Sequence, residues 1–285
     1  MQPQLKRSQV LGLAFLAFIV VFLLWQAPAN SLFSVILYPL RLFVTFVHET
    51  GHGLTAVLTG GIFIDFQVLS DGRGLAHFAG GNTLLVLQMG YISAALFGAI
   101  LLFAANRVRR VNVVILLIGL YMTGSGLLFS HGGRVVFLFG FGIAVVLWLL
   151  GEHYRRYSGW LWVLAWLCGI GTAFLLIFDT DRTLVVGILG GAVLMGMAVF
   201  ASRPVVVFVL NVMAFATGLN AISDIWTLTR LSENVTTDAT QSASLTHLPM
   251  LFFVVLWAGI ALALIGGSVY LTFIRRGDAT KDTAA

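Results

Sequence analysis

The chain has 285 residues, of which 59% are hydrophobic and only 9% are charged. A soluble domain carries about 25% charged residues and disordered chains are also strongly polar, so this composition argues against both classes. The net charge of +5 is of the kind that orienting loops give a membrane protein. We therefore expect an integral protein of the lipid bilayer, with no nucleic-acid partner.

Apolar runs of about 20 residues recur along the chain, without the strict alternation of an outer-membrane strand. They predict an all-α polytopic membrane protein with eight to nine transmembrane helices. Residues 1–285 are expected to form a single integral membrane domain, and the polar stretch 229–248 is expected to be a connecting segment. The candidate spans lie at roughly 10–26, 32–59, 82–105, 111–128, 135–150, 160–178, 183–201, 205–228 and 249–273.

A β-hairpin is predicted after the second span. The segment opens with Gly60-Gly61 and closes with Gly80-Gly81. Between these pairs, an alternating stretch from Ile62 to Val68 precedes Asp71-Gly72, which is typical of a tight turn. A bilayer tolerates such a hairpin only where it is buried in protein or lines a watery cavity. An ordinary surface hairpin is the alternative.

Two acids, Glu49 and Asp224, fall inside predicted spans, where charged groups are costly and usually functional. Glu49 belongs to the sequence His48-Glu49-Thr50-Gly51-His52, an H-E-x-x-H motif. Residues four apart share one helix face, so both imidazoles can reach one metal ion. Neutral imidazoles suit Zn²⁺, and Glu49 could take a proton from water activated by the metal. The alternative is that these polar groups bond to neighbouring helices.

A catalytic zinc site usually has three protein ligands, so a further ligand is needed. Asp224 is the candidate, because it lies in a span and, by counting spans, on the same side as His52. It could instead cap a helix end at the interface. Asn220, one helical turn earlier, could orient a ligand or a substrate backbone. If Asp224 is not a ligand, His77 and Asp65 are the residues to test. The remaining histidines are expected to be loop residues without a metal: His131, His153 and His247.

Taken together, these motifs resemble the site-2 protease class of intramembrane zinc metallopeptidases, and more closely its compact bacterial and plant branch. The similarity extends over residues 40–260, the expected peptidase-like core, although Asp224 lacks the Asn-Pro-Asp-Gly or Leu-Asp-Gly context of better-studied members. The residues that carry the resemblance are His48 to His52, Leu58 to Gly61, Gly90-Tyr91, Ser223 to Trp226, Thr237 to Ala239, and Leu245 to Pro249.

The resemblance implies that two histidines and a late aspartate hold Zn²⁺, here His48, His52 and Asp224, with Glu49 as the general base. It also implies that the 62–78 segment, with Asp65 and Phe66, binds an unwound membrane-protein substrate. A substrate helix has its backbone groups bonded internally, so pairing with the hairpin edge would satisfy the groups that unwinding frees.

Two other functions use the same residues. A catalytically inactive relative would act as a membrane scaffold or chaperone, but should have lost the general base, and Glu49 is present. A metal transporter should carry acidic or histidine residues at the midplane of many helices.

We expect a multi-pass protein of the bacterial cytoplasmic membrane. Beyond residue 105, basic residues favour the loop ends on the side of the C-terminus, which the positive-inside rule assigns to the cytoplasm. With nine spans, however, Lys6 and Arg7 would then lie outside, against the same rule, so both orientations stay open.

Overall fold

The structure is a computed structural model that describes residues 5–26, 31–154, 158–220, 222 and 236–275. Helices dominate these ranges, and one β-hairpin interrupts them. In chain order the elements are α1 (Arg7–Trp25), α2 (Leu32–Leu58), β1 (Ile62–Val68), β2 (Gly74–Ala79), α3 (Thr83–Arg107), α4 (Val111–Phe129), α5 (Gly133–His153), α6 (Ser158–Phe178), α7 (Thr183–Phe200), α8 (Arg203–Gly218), α9 (Asp238–Thr246) and α10 (Met250–Ile274).

Eight of the helices in the described ranges are long and apolar enough to cross a membrane, namely α1 to α7 and α10. Helix α8 is apolar but shorter. The predicted polytopic all-α fold, with eight to nine spans and a hairpin after the second, is thus confirmed. The span predicted at 205–228 begins as α8, and most of its second half lies outside the described residues.

Helix α3 lies at the centre of the bundle and packs against α2, α8 and α10. Its buried face carries small residues, which let the neighbouring backbones approach closely. At Gly98, for example, a Cβ atom would lie only 2.6 Å from the backbone nitrogen of Gly218 at the end of α8. Helices α5 and α6 pair mainly with each other and turn most of their large apolar side chains outward, as lipid-facing helices do.

The hairpin has the predicted turn. Gly72 adopts a φ of 90°, which favours glycine, and the Asp71 carboxylate accepts a hydrogen bond from the backbone N–H of Arg73 at 3.0 Å. Strands β1 and β2 pair in antiparallel register, with Asp65 opposite His77.

The hairpin folds back along α2 instead of extending beyond its end. Phe63 packs against Gly53, and the hydroxyl of Thr45 donates to the carbonyl of Gly72 at 2.8 Å. On β1, Phe66 and Val68 are fully buried. The hairpin is therefore packed against α2 through the side of β1 that carries Phe66 and Val68, while Ile62 and Ile64 are exposed and no residue of β2 is fully buried.

The two outer edges of the hairpin differ. The β1 edge is tied to the start of α7, because the N–H of Arg182 donates to the Val68 carbonyl and the N–H of Val68 donates to the Thr183 hydroxyl, both at 2.7 Å. Within the described part of the chain, no other segment forms a backbone hydrogen bond with the outer edge of β2.

Candidate metal centre

The H-E-x-x-H motif lies on α2, where it faces the interior of the bundle. His48 and His52 are one helical turn apart, and their Nε2 atoms lie 3.0 Å from each other. Glu49 and His52 are each only 5% exposed. Ligand-capable atoms of His48, Glu49 and His52 all lie within 4.8 Å of one another. The helix thus brings the three polar side chains of the motif to one buried point.

Asp238 completes this group from a distant part of the chain. It is the first residue of α9, and its Oδ2 lies 3.0 Å from Nε2 of His48 and 3.3 Å from Nε2 of His52. Burial opposes ionisation of this carboxyl, but His52 and His48 outweigh that effect and hold its pKa well below the ordinary value. The carboxylate is therefore charged and directed at both imidazoles.

These atoms fit the ligand set of a zinc ion. Ligands about 2.0–2.1 Å from zinc in a tetrahedron lie about 3.3–3.4 Å from one another. The three separations among His48, His52 and Asp238 are 3.0, 3.0 and 3.3 Å. Two imidazole nitrogens and one carboxylate oxygen also match the donor types of catalytic zinc sites, in which a fourth position stays open.

A backbone contact fixes which nitrogen of His52 is available. Its Nδ1 lies 2.7 Å from the carbonyl oxygen of Val86 on α3. A carbonyl only accepts hydrogen bonds, so Nδ1 carries a proton, and Nε2, which faces His48 and Asp238, is the nitrogen that a metal ion would bind. Metal-binding histidines usually hold their other nitrogen in this way.

Helix α3 forms the wall behind the imidazoles. A Cβ atom on Gly90 would lie 2.4 Å from Nε2 of His48 and 2.5 Å from Nε2 of His52. The next residue, Tyr91, meets the His48 ring edge-on at 4.6 Å between ring centroids and stacks on Trp257 of α10. Only glycine leaves room here, so the Gly90-Tyr91 pair shapes the site although neither residue belongs to the H-E-x-x-H motif.

Helix α9 is held in place by a short chain of side-chain hydrogen bonds. Gln88 of α3 donates to the hydroxyl of Ser242 at 2.8 Å and accepts from the indole N–H of Trp257 at 2.6 Å. At the start of the helix, the Thr237 hydroxyl accepts from the backbone N–H of Thr240, the usual N-cap contact. These contacts fix the turn that carries Asp238.

Glu49 lies directly against the hairpin. A Cβ atom on Gly74, the first residue of β2, would lie 2.1 Å from Oε1 of Glu49. The carboxyl group therefore touches the backbone at the beginning of β2, the strand whose outer edge has no backbone partner among the described residues.

The other residues predicted from the sequence have different surroundings. Asp224 lies outside the described residues. Asn220 follows the end of α8 and is partly buried. Phe66 is fully buried and packs edge-on against Phe46, with 4.9 Å between ring centroids. Asp65 binds two histidines, His77 and His131, in a group separate from the α2 motif.

Sequence reasoning missed the position of Asp238. The residue lies in 229–248, which was interpreted as a connecting segment because it is polar. Thr237-Asp238-Ala239 was one of the motifs behind the family resemblance, and the Thr-Asp pair is also typical of a helix start. That signal is enough to predict a short helix, but it does not show that the acid packs into the protein, because the segment around it is polar.

The described part of the chain thus combines eight apolar helices long enough to span a membrane with a His-Glu-His cluster on a buried helix face. A family model described as Peptidase M50B-like matches residues 13–179 and 155–268, which together make up most of the chain. The chain belongs to this family, and the resemblance to site-2-protease-like proteins is confirmed. No curated protein and no solved structure matches the chain.

Proposed function

We propose that this protein is an intramembrane zinc metallopeptidase that hydrolyses peptide bonds in or near the transmembrane segments of other membrane proteins. One observation carries the proposal: ligand atoms of His48, His52 and Asp238 lie within 3.3 Å of one another, and the carboxyl group of Glu49 adjoins them. Membership in the M50B-like family supports the same reaction class.

We assign His48, His52 and Asp238 as the residues that hold Zn²⁺. Asp238 takes the place predicted for Asp224, whose role as a ligand stays a prediction. Zinc in such a site supplies a Lewis acid that activates water and polarises the scissile carbonyl. The low pKa of Asp238 suits this role, because a ligand carboxyl must be ionised.

Glu49 would act as the general base. It follows a proposed ligand directly in the sequence, so its carboxyl group lies beside the metal position. In the reaction it would accept a proton from the attacking water and later deliver that proton to the leaving amine nitrogen. Burial among apolar helices keeps bulk water away from these transfers.

The substrate backbone would pair with the outer edge of β2. A helix that has been unwound in the membrane must find new partners for its N–H and C=O groups, and an unpaired strand edge provides them. Because Gly74 begins β2 against Glu49, a strand added at this edge would pass next to the general base. Asp65 and Phe66 would serve substrate binding by holding the hairpin in position, and Asn220 by orienting the substrate backbone.

The test is the variant Glu49→Gln. Glutamine has nearly the same shape but cannot accept the proton at neutral pH, so cleavage should fall by a factor of about a hundred to ten thousand. Wild type and variant are expressed in a host that lacks its own copy, and membrane fractions are compared for single-span proteins that accumulate uncut. Glu152→Gln, the same change at an exposed position on α5, is the matched control and should cleave normally.

Metal content separates loss of chemistry from loss of the site. Purified Glu49→Gln should bind as much zinc as wild type. If Glu49→Gln restored the deletion phenotype in full, with no change in any cleavage product, the protein would be an inactive scaffold of the same family instead of a peptidase.

A further inference from the structure

A second group of metal-binding side chains lies on the hairpin. Asp65 of β1 contacts two histidines through different oxygens: Nδ1 of His77 lies 2.6 Å from Oδ1, and Nδ1 of His131 lies 2.9 Å from Oδ2. His77 is on β2, and His131 is in the connection between α4 and α5. Ligand-capable atoms of the three residues all lie within 4.8 Å of one another. Three separate segments thus converge on one point outside the α2 motif.

The members of this group differ in exposure. The side chain of Asp65 is only 9% exposed, whereas those of His77 and His131 are 39% and 50% exposed. Burial opposes ionisation of Asp65, but the hydrogen bonds from His77 and His131 outweigh it and keep its pKa below the ordinary value. A fixed carboxylate therefore lies beneath two imidazoles that solvent can reach.

We propose that Asp65, His77 and His131 form a second site for a divalent transition-metal ion, with Zn²⁺ as the ion to test. Two imidazoles and one carboxylate are a common ligand set for zinc and other first-row metals. The present contacts of 2.6 and 2.9 Å are shorter than the ligand separation of about 3.3 Å around zinc. The imidazoles must therefore turn slightly away from Asp65, and their exposure leaves them room to do so.

The position of this site suggests what it does. Gly74 touches Glu49, and His77 comes three residues later on β2. At about 3.3 Å per residue, the backbone positions of Gly74 and His77 lie about 10 Å apart. An ion here would join both strands to the connection between α4 and α5. It would thereby fix the hairpin against which Glu49 packs.

Metal counting tests the site independently of peptidase activity. The full-length protein is purified in detergent, stripped with a chelator, reloaded with Zn²⁺ and freed of excess ion, and zinc per chain is measured by mass spectrometry. Wild type should hold two ions, and His77→Asn/His131→Asn should hold one. A matched control, His153→Asn/His247→Asn, replaces two exposed histidines outside both groups and should hold two.

The same experiment distinguishes this site from the centre on α2. His48→Ala/His52→Ala should lose one ion and keep the other, which the hairpin residues would hold. If His48→Ala/His52→Ala lost no ion while His77→Asn/His131→Asn lost one, the proposed zinc centre on α2 would be contradicted. The second site would still be supported.

A count that is the same for wild type and His77→Asn/His131→Asn would overturn the second site, and the group would then be a hydrogen-bonded triad only. If the double variant aggregates, His131→Asn alone serves, because this side chain is half exposed and lies in a connection. His131→Asn should weaken zinc binding at the second site at least about tenfold. Removing a residue that only orients a metal ligand already costs about ten- to a hundredfold in affinity, and a direct ligand should cost no less. Unchanged affinity in this folded variant would also overturn the site.

Discussion

Gly90 is the residue whose role follows most directly from space alone. Its missing side chain makes room for Nε2 of His48 and His52, which a Cβ atom would approach to 2.4 and 2.5 Å. Because the helix backbone fixes where a Cβ atom points, the imidazoles would have to move. The glycine therefore determines how closely α3 can support the metal centre.

We predict that Gly90→Ala displaces both imidazoles and weakens zinc binding by about ten- to a hundredfold, as loss of ligand orientation usually does. The overpacking should also cost about 1–3 kcal/mol of stability. Zinc affinity is measured by competition with a chelating dye, and folding by gel filtration. Gly124→Ala is the control, since a Cβ atom on Gly124 meets nothing within 4 Å. Equal zinc affinity in the two variants would contradict the described packing of α3.

The sequence identifies those functional residues that are spaced along a single helix. His48, Glu49 and His52 are recognisable because helix periodicity alone places them together. Asp238 is not, because its position depends on how α9 packs against α3, and no local pattern encodes that contact. The composition of a polar segment does not distinguish an acid that packs against other helices from a solvated one.

Among the elements, α9 shows how a short polar helix can determine a site. Gln88 links it to α3 through Ser242 and to α10 through Trp257. A single side chain thus couples three helices around Asp238.

We predict that Gln88→Met, which keeps the approximate size but removes both hydrogen bonds, loosens α9. Leaving buried partners unsatisfied costs about 1–3 kcal/mol, and zinc should dissociate faster because Asp238 is less firmly held. Zinc release to a chelator and hydrogen exchange over 238–246 are the measurements. Gln241→Met makes the same change at an exposed position of α9 and should behave like wild type. Unaltered exchange and release in Gln88→Met would show that this residue does not position α9.

The hairpin illustrates the opposite case, an element that local sequence encodes well. Gly72 supplies a positive φ and Asp71 caps its own turn, so the β1–β2 connection follows from neighbouring residues. What the sequence left open was where the hairpin lies, on the surface or in the protein. Contacts from Thr45 and Gly53 of α2 decide this, and they depend on tertiary packing.

For the whole molecule, apolar length and hydropathy were sufficient to predict the bundle, because backbone satisfaction leaves few other structures for a membrane. The bundle also brings together loop ends that carry the basic residues used to predict the orientation. Arg203 at the start of α8 donates to the carbonyl of Arg109 at 2.7 Å, and Arg107 donates to the carbonyl of Leu271 on α10. That this end faces the cytoplasm stays a prediction.

The metal centre depends on the whole molecule as well, since α2 and α9 are far apart in the chain. Its ligand set is tested most directly by zinc content in the background His77→Asn/His131→Asn, where only one ion should remain. When added to that double variant, His48→Ala and Asp238→Asn should each reduce bound zinc nearly to zero. Glu49→Gln and Glu152→Gln should each retain one ion per chain. Asp224→Asn is compared in parallel. Full zinc content in Asp238→Asn, with loss in Asp224→Asn, would contradict the centre described here and return the third position to the acid first predicted from the sequence.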